Sequence, residues 1–573
     1  MKNKRPRGKY LKLFTIVPFL PLFILETAFL KSINGQTIVD EVDVHGNYIP
    51  RLKPREKFFD RPMMQDTFRI TLKPQYALEA PIQETHFEPD SIRPQKFKPE
   101  PLPKGKRLFV KLGFGNYLTP YAEVRAGSIK NRQHVYDVGY TFLAGAGKIS
   151  DRGHPGVARH DVQARWRFRN EQKQLFQASV GYENQRVHYY GFRAADFPEL
   201  SRKDYRQTYN HLGLHLGFEN APDSDSSRWR LAPGLQYGFT TDRFGSAENS
   251  LSGGIGLGKS WKNVRMEDRV EGGFFYNSSA GSAGFASGWA MLNPAVVMTA
   301  SRLFLRLGAA GYVTAQPGGI RWHAVPDVLL KLHIADRYLL FEGEAGGQVY
   351  RSSLDRLRRD NPFLLTAPRL DFTRHQLAAG GRLAGAFGQA FQWSAGGRFD
   401  LIERQAFFVN AWADTLHRIP EFAGFEVVYG RLTRTTVAAM VQYQYQEKYQ
   451  ASLSCEYYFF HQTNPGFPER IVPYHPQFRI TARGQVRLLE RILLRADIYY
   501  IHKQTGFARD TINTFSTYSL KGVADINVAA EYRFNEFLGF WAGFYNMGAF
   551  AYNRWYRYPT QGFNALGGVT LRF

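Results

Sequence analysis

The chain has 573 residues, 15% of them aromatic, with 53 glycines and a formal net charge of +24. A mean hydropathy of −0.38 excludes a protein built from membrane-spanning helices. The one cysteine, Cys455, excludes an internal disulfide. Abundant rings and glycines are typical of large membrane β-barrels, in which rings lie at the membrane interfaces and glycines fit crowded strands.

Residues 1–36 have the pattern of a secretory signal peptide. A basic start precedes an apolar stretch from Leu13 to Leu30, in which Pro18 and Pro21 argue against a membrane anchor. We therefore expect an exported protein. Export makes a nucleic-acid partner unexpected despite the positive charge, and anionic lipopolysaccharide or an anionic solute suits that charge better.

Residues 37–106 form a proline-rich segment, with ten prolines between Pro50 and Pro103. Proline lacks the N–H group that strand ladders and helix interiors require, so this segment is predicted to be extended and irregular. It has three possible places: the periplasmic mouth of a barrel, the barrel lumen, or the surface of another outer-membrane or periplasmic protein.

From residue 107 to residue 573 apolar and polar side chains alternate with the period of two that β-strands show. In one predicted strand four apolar residues share a face, namely Val162, Ala164, Trp166 and Phe168. The intervening polar residues are Asp161, Gln163, Arg165, Arg167 and Arg169. A soluble β-sandwich also alternates, but it does not need so many consecutive strands.

The connections between these strands are alternately short and long. Tight turns such as Glu447–Lys448 and Glu490–Arg491 follow every second strand, whereas connections such as Ser353–Leu370 and Asn410–Gly424 are long. Short periplasmic turns alternating with long outer loops are typical of outer-membrane barrels. The predicted fold is therefore an all-β transmembrane outer-membrane β-barrel of about 22 antiparallel strands, with a margin of about four, and no folded plug domain.

The chain ends in Leu571-Arg572-Phe573, and Phe573 closes an alternating strand. A terminal aromatic residue in this position resembles the signal that the outer-membrane insertion machinery recognises. We therefore take Leu571 and Phe573 as an insertion signal, which implies the barrel-insertion machinery as a partner.

Two runs of sequence resemble a Bacteroidota family of outer-membrane barrels that are described as TonB-dependent receptors. Leu112–Pro120 is similar to the first hairpin of that family, and Val187–Gly191 to its second outer loop. The resemblance implies a transport or receptor role. The chain departs from that architecture because only about 70 proline-rich residues stand where such receptors carry a folded plug. The acidic, β-branched run Thr37–Val42 is either a distant energy-coupling box or an unstructured mature terminus.

No catalytic, cofactor or metal motif is found, so we expect a non-enzyme without a cofactor. The sequence has no G-x-S-x-G, no H-E-x-x-H, no clustered Cys/His spacing and no phosphate-binding glycine loop. His160-Asp161 is the best candidate for an acid–base pair at a barrel rim, followed by His188, His461 and His475. Each of these histidines is more simply interpreted as a residue of the interface girdle or the lumen.

If the alternation is phased correctly, a set of arginines faces the lumen: Arg165, Arg167, Arg169, Arg398, Arg404, Arg495 and Arg533. Either they pair with inward carboxylates in a wall of salt bridges, or they bias the passage toward anions. Two functions follow as hypotheses. The first is a transport channel or receptor. The second, suggested by the missing plug and the proline-rich segment, is a non-transporting subunit of an assembly or export complex.

Overall fold

The structure, a computed structural model, describes residues 107–128, 133–220, 229–279, 282–335, 338–414, 417–464, 467–510 and 514–573. The predicted signal peptide (residues 1–36) and the predicted proline-rich segment (residues 37–106) lie outside these described residues. Their predicted boundaries and conformations therefore stay predictions.

The alternating sequence forms 26 strands within the described residues. They are Leu108–Gly115 (β1), Thr119–Gly127 (β2), His134–Gly145 (β3), Val157–Arg169 (β4), Gln174–His188 (β5), Arg206–Asn220 (β6), Arg230–Asp242 (β7), Ala247–Trp261 (β8), Val264–Ser279 (β9), Ser282–Thr299 (β10), Leu303–Gln316 (β11), Gly319–Ala335 (β12) and Leu339–Arg351 (β13). They continue as Phe372–Phe387 (β14), Phe391–Asn410 (β15), Phe425–Tyr445 (β16), Tyr449–Thr463 (β17), Phe478–Leu488 (β18), Ile492–Ile501 (β19), Gln504–Arg509 (β20), Phe515–Leu520 (β21), Val523–Arg533 (β22), Leu538–Tyr545 (β23), Asn553–Trp555 (β24), Tyr558–Pro559 (β25) and Asn564–Arg572 (β26).

Twenty-two of these strands form one closed antiparallel barrel. Each strand from β1 to β18 pairs with the next, β19 pairs with β22, β22 with β23, and β23 with β26. Strand β26 then pairs with β1 from Phe109↔Arg572 to Gly115↔Leu566, which closes the barrel. The predicted all-β barrel and the predicted count of about 22 antiparallel strands are confirmed, whereas the predicted lack of a folded plug domain concerns residues outside the described part and stays a prediction.

The connections that follow odd-numbered wall strands and those that follow even-numbered ones lie at opposite ends of the barrel. At the first end, the connection between β13 and β14 contains a short helix, Leu354–Asp360 (α1), and the one between β5 and β6 contains a 3-10 turn, Ala194–Asp196. The hairpins β20–β21 and β24–β25 also belong to long connections at this end. We call it the mouth. In the described part of the chain, no helix is both long and apolar enough to cross a membrane.

The outward face of the wall is apolar, as the alternation predicts. On β4, Val162 and Trp166 are exposed, and on β1 so are Leu112 and Phe114. The barrel therefore presents an apolar surface to its surroundings, which is what a lipid-facing wall requires.

The wall divides between β12 and β13 near the mouth. Their ladder ends at Asp327↔Gly346. Beyond that pair, β12 remains paired with β11 as far as Gln316↔Gly319, and β13 remains paired with β14 as far as Arg351↔Phe372. We call this unpaired stretch, between residues 319–326 and 347–351, the seam.

The mouth-side ends of β15 and β16 are buried on both faces. Phe407 and Val409 belong to one buried cluster, whereas their neighbours Ala406 and Phe408 pack against another. A strand in the wall of a membrane barrel has one face in contact with lipid. This hairpin end is therefore enclosed by other parts of the chain instead of lying in the wall.

Candidate functional site

The long connections pack together at the mouth and form an apolar cluster, which we call the loop cap. Its buried residues come from the connections that follow β5, β13, β15, β17 and β23, together with adjoining strand ends. They are Val187, Tyr189, Phe192, Tyr205, Leu357, Phe363, Leu364, Ile419, Ala423, Phe425, Val427, Tyr474, Leu520, Trp555 and Tyr558. Burial of this many apolar groups gives the loops a core of their own.

Tyrosine hydroxyl groups join one loop of the cap to another. Tyr189 and Tyr209, at the mouth ends of β5 and β6, both donate to the carbonyl of Leu364, with 3.3 Å between Tyr209 Oη and that oxygen. Tyr558 donates to the carbonyl of Ala423. These bonds satisfy loop carbonyls that burial has removed from water, so they hold the loops in one arrangement.

A second group of tyrosine bonds surrounds Tyr474. Its Oη donates to Oδ1 of Asn410 at 2.6 Å and accepts from the backbone N–H of Tyr556 at 3.4 Å. Three connections therefore meet at one buried hydroxyl, and burial raises the pKa of Tyr474 above its ordinary value. The hydroxyl stays protonated, and so remains a donor, at any physiological pH.

Helix α1 is anchored to the wall by charge. The side chain of Arg358 is fully buried, and its Nη1 lies 3.3 Å from Oε1 of Glu183 on β5. Arg359 Nη2 lies 2.9 Å from the other oxygen of Glu183, and both arginines also pair with Asp355. Arg159 on β4 approaches Glu183 to 3.4 Å. A buried charge is tolerated only when it is paired, so this cluster fixes the position of α1.

The first turn of α1 is held by two oxygen acceptors. The side chain of Ser353 accepts from the N–H of Arg356 at 3.2 Å, in the usual manner of an N-cap. Glu248, on the wall strand β8, accepts from the N–H of Leu354 at 3.0 Å. The wall therefore supplies hydrogen-bond partners at the start of α1 as well as on its side.

The last residue of α1, Asp360, is enclosed by protein. Burial raises the pKa of its carboxyl group to about 7, although the charges of Arg356, Arg359 and Arg554 oppose the shift. Arg554 is itself buried, and burial lowers its pKa to about 10. The cap thus contains a carboxyl group that titrates near neutral pH.

Most of the arginines predicted to face inward lie on the strand face opposite the exposed apolar residues. Arg165, Arg167 and Arg169 alternate with Ala164, Trp166 and Phe168 on β4, and Arg165 pairs with Asp137 at 3.1 Å. That this face lines the lumen stays a prediction.

Arg398 and Arg495 have carboxylate partners. Arg398 lies 2.9 Å from both Glu344 and Asp400, and Asp400, which is fully buried, also pairs with Arg434 at 3.0 Å. These pairs favour a wall laced by salt bridges over a ring of unpaired cations.

Arg495 lies 3.1 Å from Glu531 on the neighbouring strand β22. Arg404 and Arg533 lie at irregular or terminal positions of their strands. Arg404 has φ 58 and lies where the β15–β16 register shifts, and it pairs with Asp371 near the seam. Arg533 is the last residue of β22, beside the short turn at the other end of the barrel.

The histidines considered for catalysis are not brought together. His160 stacks on Phe142, with 4.6 Å between ring centroids, and alternation places Asp161 on the other face of β4. His188 Nδ1 lies 2.6 Å from the carbonyl of Gly156, and His475 Nδ1 lies 2.7 Å from that of Pro473. Within the described residues, no group of three or more His, Cys, Asp or Glu side chains could hold a metal ion.

Comparison with solved structures finds this fold in outer-membrane receptors and transporters. The ferripyoverdine receptor of the outer membrane of Pseudomonas aeruginosa matches with a TM-score of 0.61 and 10% identity, over 82% of this chain and 72% of that one. The FrpB iron transporter from Neisseria meningitidis matches with a TM-score of 0.62 and 9% identity, over 82% of each chain. The copper transporter OprC matches with a TM-score of 0.60 and 12% identity, over 82% and 80%.

At such low identity the likeness establishes the fold alone: a closed 22-stranded antiparallel barrel of the outer-membrane type. No protein-family model and no curated protein sequence matches the chain.

Sequence reasoning missed the residues of the loop cap. The sequence placed Tyr189 only within the run Val187–Gly191, which resembles an outer loop, and gave no sign of its buried contacts. The signal that could have indicated a cap is the density of large apolar residues in the long connections, such as Phe363-Leu364-Leu365, because surface loops seldom need them.

Proposed function

We propose that the chain is an outer-membrane transporter or receptor, similar in architecture to TonB-dependent receptors, whose loop cap closes the mouth until a ligand binds. One observation carries the proposal. Loops from well-separated strands share an apolar core and are fastened to the wall by the buried contact of Arg358 with Glu183. A channel that is open to any small solute has no need of such a closure.

The charged residues of the wall support passage of a polar solute through the barrel. We propose that Arg165, Arg398 and Arg495 line the passage, with their carboxylate partners beside them. Mixed charges keep an interior hydrated and favour polar solutes over apolar ones. The receptors and transporters with the same fold are named for iron, copper and ferripyoverdine, and this likeness of fold supports a polar ligand for the present chain.

The ends of the barrel support an orientation. Leu108 and Phe573 are joined by two backbone hydrogen bonds at the end with the short turns, which in outer-membrane barrels is the periplasmic end. We propose that residues 37–106 bind a periplasmic or outer-membrane partner.

The test is single-channel conductance of the purified native protein compared with a variant in which the cap is weakened. Arg358→Gln removes the buried anchor, and Tyr189→Phe and Tyr558→Phe remove two loop bonds. The triple variant is measured in two backgrounds, the full chain and a chain that lacks residues 40–99. We expect low conductance for the wild type and higher conductance for the triple variant in at least one of these backgrounds. A triple variant that stays sealed in both backgrounds would contradict the proposal.

A second measurement on the same sample identifies the proteins that are extracted with it. A lone barrel that conducts after the cap is weakened supports transport. A stoichiometric partner together with a permanently sealed barrel would instead indicate a structural subunit.

A further inference from the structure

The seam creates a place where two layers of the barrel wall overlap. Val349 and Phe372 lie on one face of the β13–β14 pair, and they pack against Val325 of β12 and Tyr312 of β11 in one buried cluster. His375 lies on the opposite face of β14, where it interacts with Asp400 in the barrel interior. The outer face of β13–β14 is therefore covered by the inner face of β11–β12.

Charged residues line the mouth-side part of this overlap. Alternation places Arg321 and His323 on the same face of β12 as Val325. Both Arg321 and Arg374, the latter on the outer face of β14, act electrostatically on His323. Arg374 Nη1 lies 3.3 Å from Glu403 of β15. Arg321 of the β11–β12 layer and Arg374 of the β13–β14 layer therefore bring positive charges close together. Like charges in proximity repel, so this arrangement requires a compensating negative group.

Positive charge exceeds negative charge in the seam. Five arginines lie in or beside the seam, and we call them the seam arginines: Arg321, Arg369, Arg374, Arg404 and Arg431. Three of them pair with the nearby carboxylates Asp371 and Glu403. Arg431 shares Glu403 with Arg374, at 2.8 Å, and Arg404 pairs with Asp371. In the part of the chain that the structure describes, Arg321 and Arg369 form no ion pair. Both side chains are exposed at the edge of the overlap.

Buried donors in the seam point to a ligand that is an acceptor. Among the described residues, Nε of Arg374 and Nε of Arg404 are buried without a hydrogen-bond partner. The Arg374 side chain is only 7% exposed. A buried guanidinium N–H without an acceptor is costly, so such donors mark a place where an anion would be stabilised.

We propose that the seam binds the phosphate group of a phosphorylated glycolipid of the outer leaflet. A phosphate group provides oxygen acceptors and negative charge for several arginines at once, which compensates their mutual repulsion. The neighbouring outward residues suit a lipid and not a soluble anion. Ile320 and Trp322 on β12 are 68% and 78% exposed, so that an apolar surface adjoins the cationic one. Exposed tryptophan is typical of the membrane interface, where lipid phosphates lie.

The site is separate from the anchor of helix α1, although it adjoins the loop cap: Tyr429, which packs against the cap, donates to the carbonyl of Arg369 at 2.9 Å. The seam arginines do not contact Glu183 or Asp355 in the described structure, and the proposed ligand approaches from the membrane instead of the mouth. The test of lipid binding at the seam is therefore independent of the test of solute transport through the barrel.

The test is binding of diphosphorylated lipid A to the full-length protein in detergent, measured by native mass spectrometry at several salt concentrations. Dephosphorylated lipid A and inorganic phosphate serve as the comparison probes. We expect the diphosphorylated lipid to bind at least about tenfold more tightly than either, and its affinity to fall as salt rises.

Two seam variants sharpen this test. Arg321→Gln and Arg369→Gln alter exposed side chains and should leave folding intact, and each should weaken lipid binding about tenfold. Arg193→Gln is the matched control, because Arg193 is an exposed arginine on a loop outside the seam and pairs with Asp151. Three results would each overturn the proposal. The dephosphorylated lipid could bind as tightly as the diphosphorylated one, or both seam variants could bind the lipid as the wild type does. Inorganic phosphate could also saturate the seam with no contribution from the lipid.

Discussion

Arg358 of helix α1 contacts Glu183 of strand β5, with Nη1 and Oε1 3.3 Å apart although the two residues are 175 positions apart in the chain. Neither side chain is more than 5% exposed. The contact joins an outer loop to a distant part of the wall through two groups that cannot be solvated by water. It converts the loop between β13 and β14 into a fixed part of the mouth.

The first prediction concerns this anchor. Arg358→Gln leaves Glu183 with Arg159 and Arg359 as partners, so the variant loses the hydrogen bonds of the buried cation without leaving Glu183 unpaired, at a cost of about 1.5–3 kcal/mol. We expect the free energy of opening of the loop to fall by this order, as measured by hydrogen exchange of residues 353–371. Arg193→Gln, at an exposed pair, should change it by less than about 1 kcal/mol. Unchanged exchange in Arg358→Gln would show that the anchor contributes nothing.

The second prediction concerns the buried hydroxyl of Tyr474. Tyr474→Phe leaves Oδ1 of Asn410 without its donor and should reduce stability by about 1–3 kcal/mol. The temperature at which the folded barrel loses its compact mobility in gel electrophoresis measures this loss. Tyr136→Phe is the control, because the Tyr136 ring lies on the exposed face of β3. Equal behaviour of the two variants would contradict the role given to Tyr474.

The third prediction is a pH dependence. Because burial raises the pKa of Asp360 to about 7, the folded cap favours the neutral carboxyl group. The unfolded loop ionises this group near pH 4, so cap stability falls as the pH rises from about 4 to about 7 and then levels off. Hydrogen exchange of residues 353–371, corrected for intrinsic rates, should therefore be several-fold faster at pH 8 than at pH 5. The Asp360→Asn variant should lack this dependence, and a wild type without it would contradict the prediction.

The fourth prediction concerns the interior wall. Asp400 is fully buried between Arg398 and Arg434, so Asp400→Asn leaves two cations facing each other and should destabilise the barrel by up to about 3–5 kcal/mol. Asp137→Asn breaks a pair with Arg165 in which each side chain is 41% exposed, and should cost less than about 1 kcal/mol. Unfolding temperatures in detergent distinguish the two. Similar unfolding temperatures for the two variants would contradict the prediction, because the buried pairs of Asp400 would then stabilise the barrel no more than the exposed pair of Asp137.

The barrel could be predicted because the pattern that determines it lies in residues that are neighbours in the sequence. Alternation such as that of Val162 and Trp166 against Arg165 is set by neighbouring residues, and the alternation of short and long connections gives the strand order directly. The count of 22 and the closure of the last strand on the first followed from these two patterns.

The loop cap and the seam were not predictable, because their causes are not local. The carbonyl of Leu364 accepts from Tyr189, 175 residues away, and no periodicity in either loop indicates that contact. Similarly, the register shift after Ile402 gives Arg404 a left-handed backbone, and simple alternation cannot anticipate such a change of phase. The described structure also shows two hairpins, β20–β21 and β24–β25, within the long connections at the mouth.

The most direct test of the closed mouth is hydrogen exchange of the wild-type protein in a lipid nanodisc, followed from seconds to hours. The structure predicts that residues 353–364 exchange as slowly as the wall strands β5 and β6, and that Arg358→Gln accelerates these residues without affecting the strands. Exchange of residues 353–364 within seconds in the wild type, at the rate of an exposed loop, would contradict the claim that the loops close the barrel.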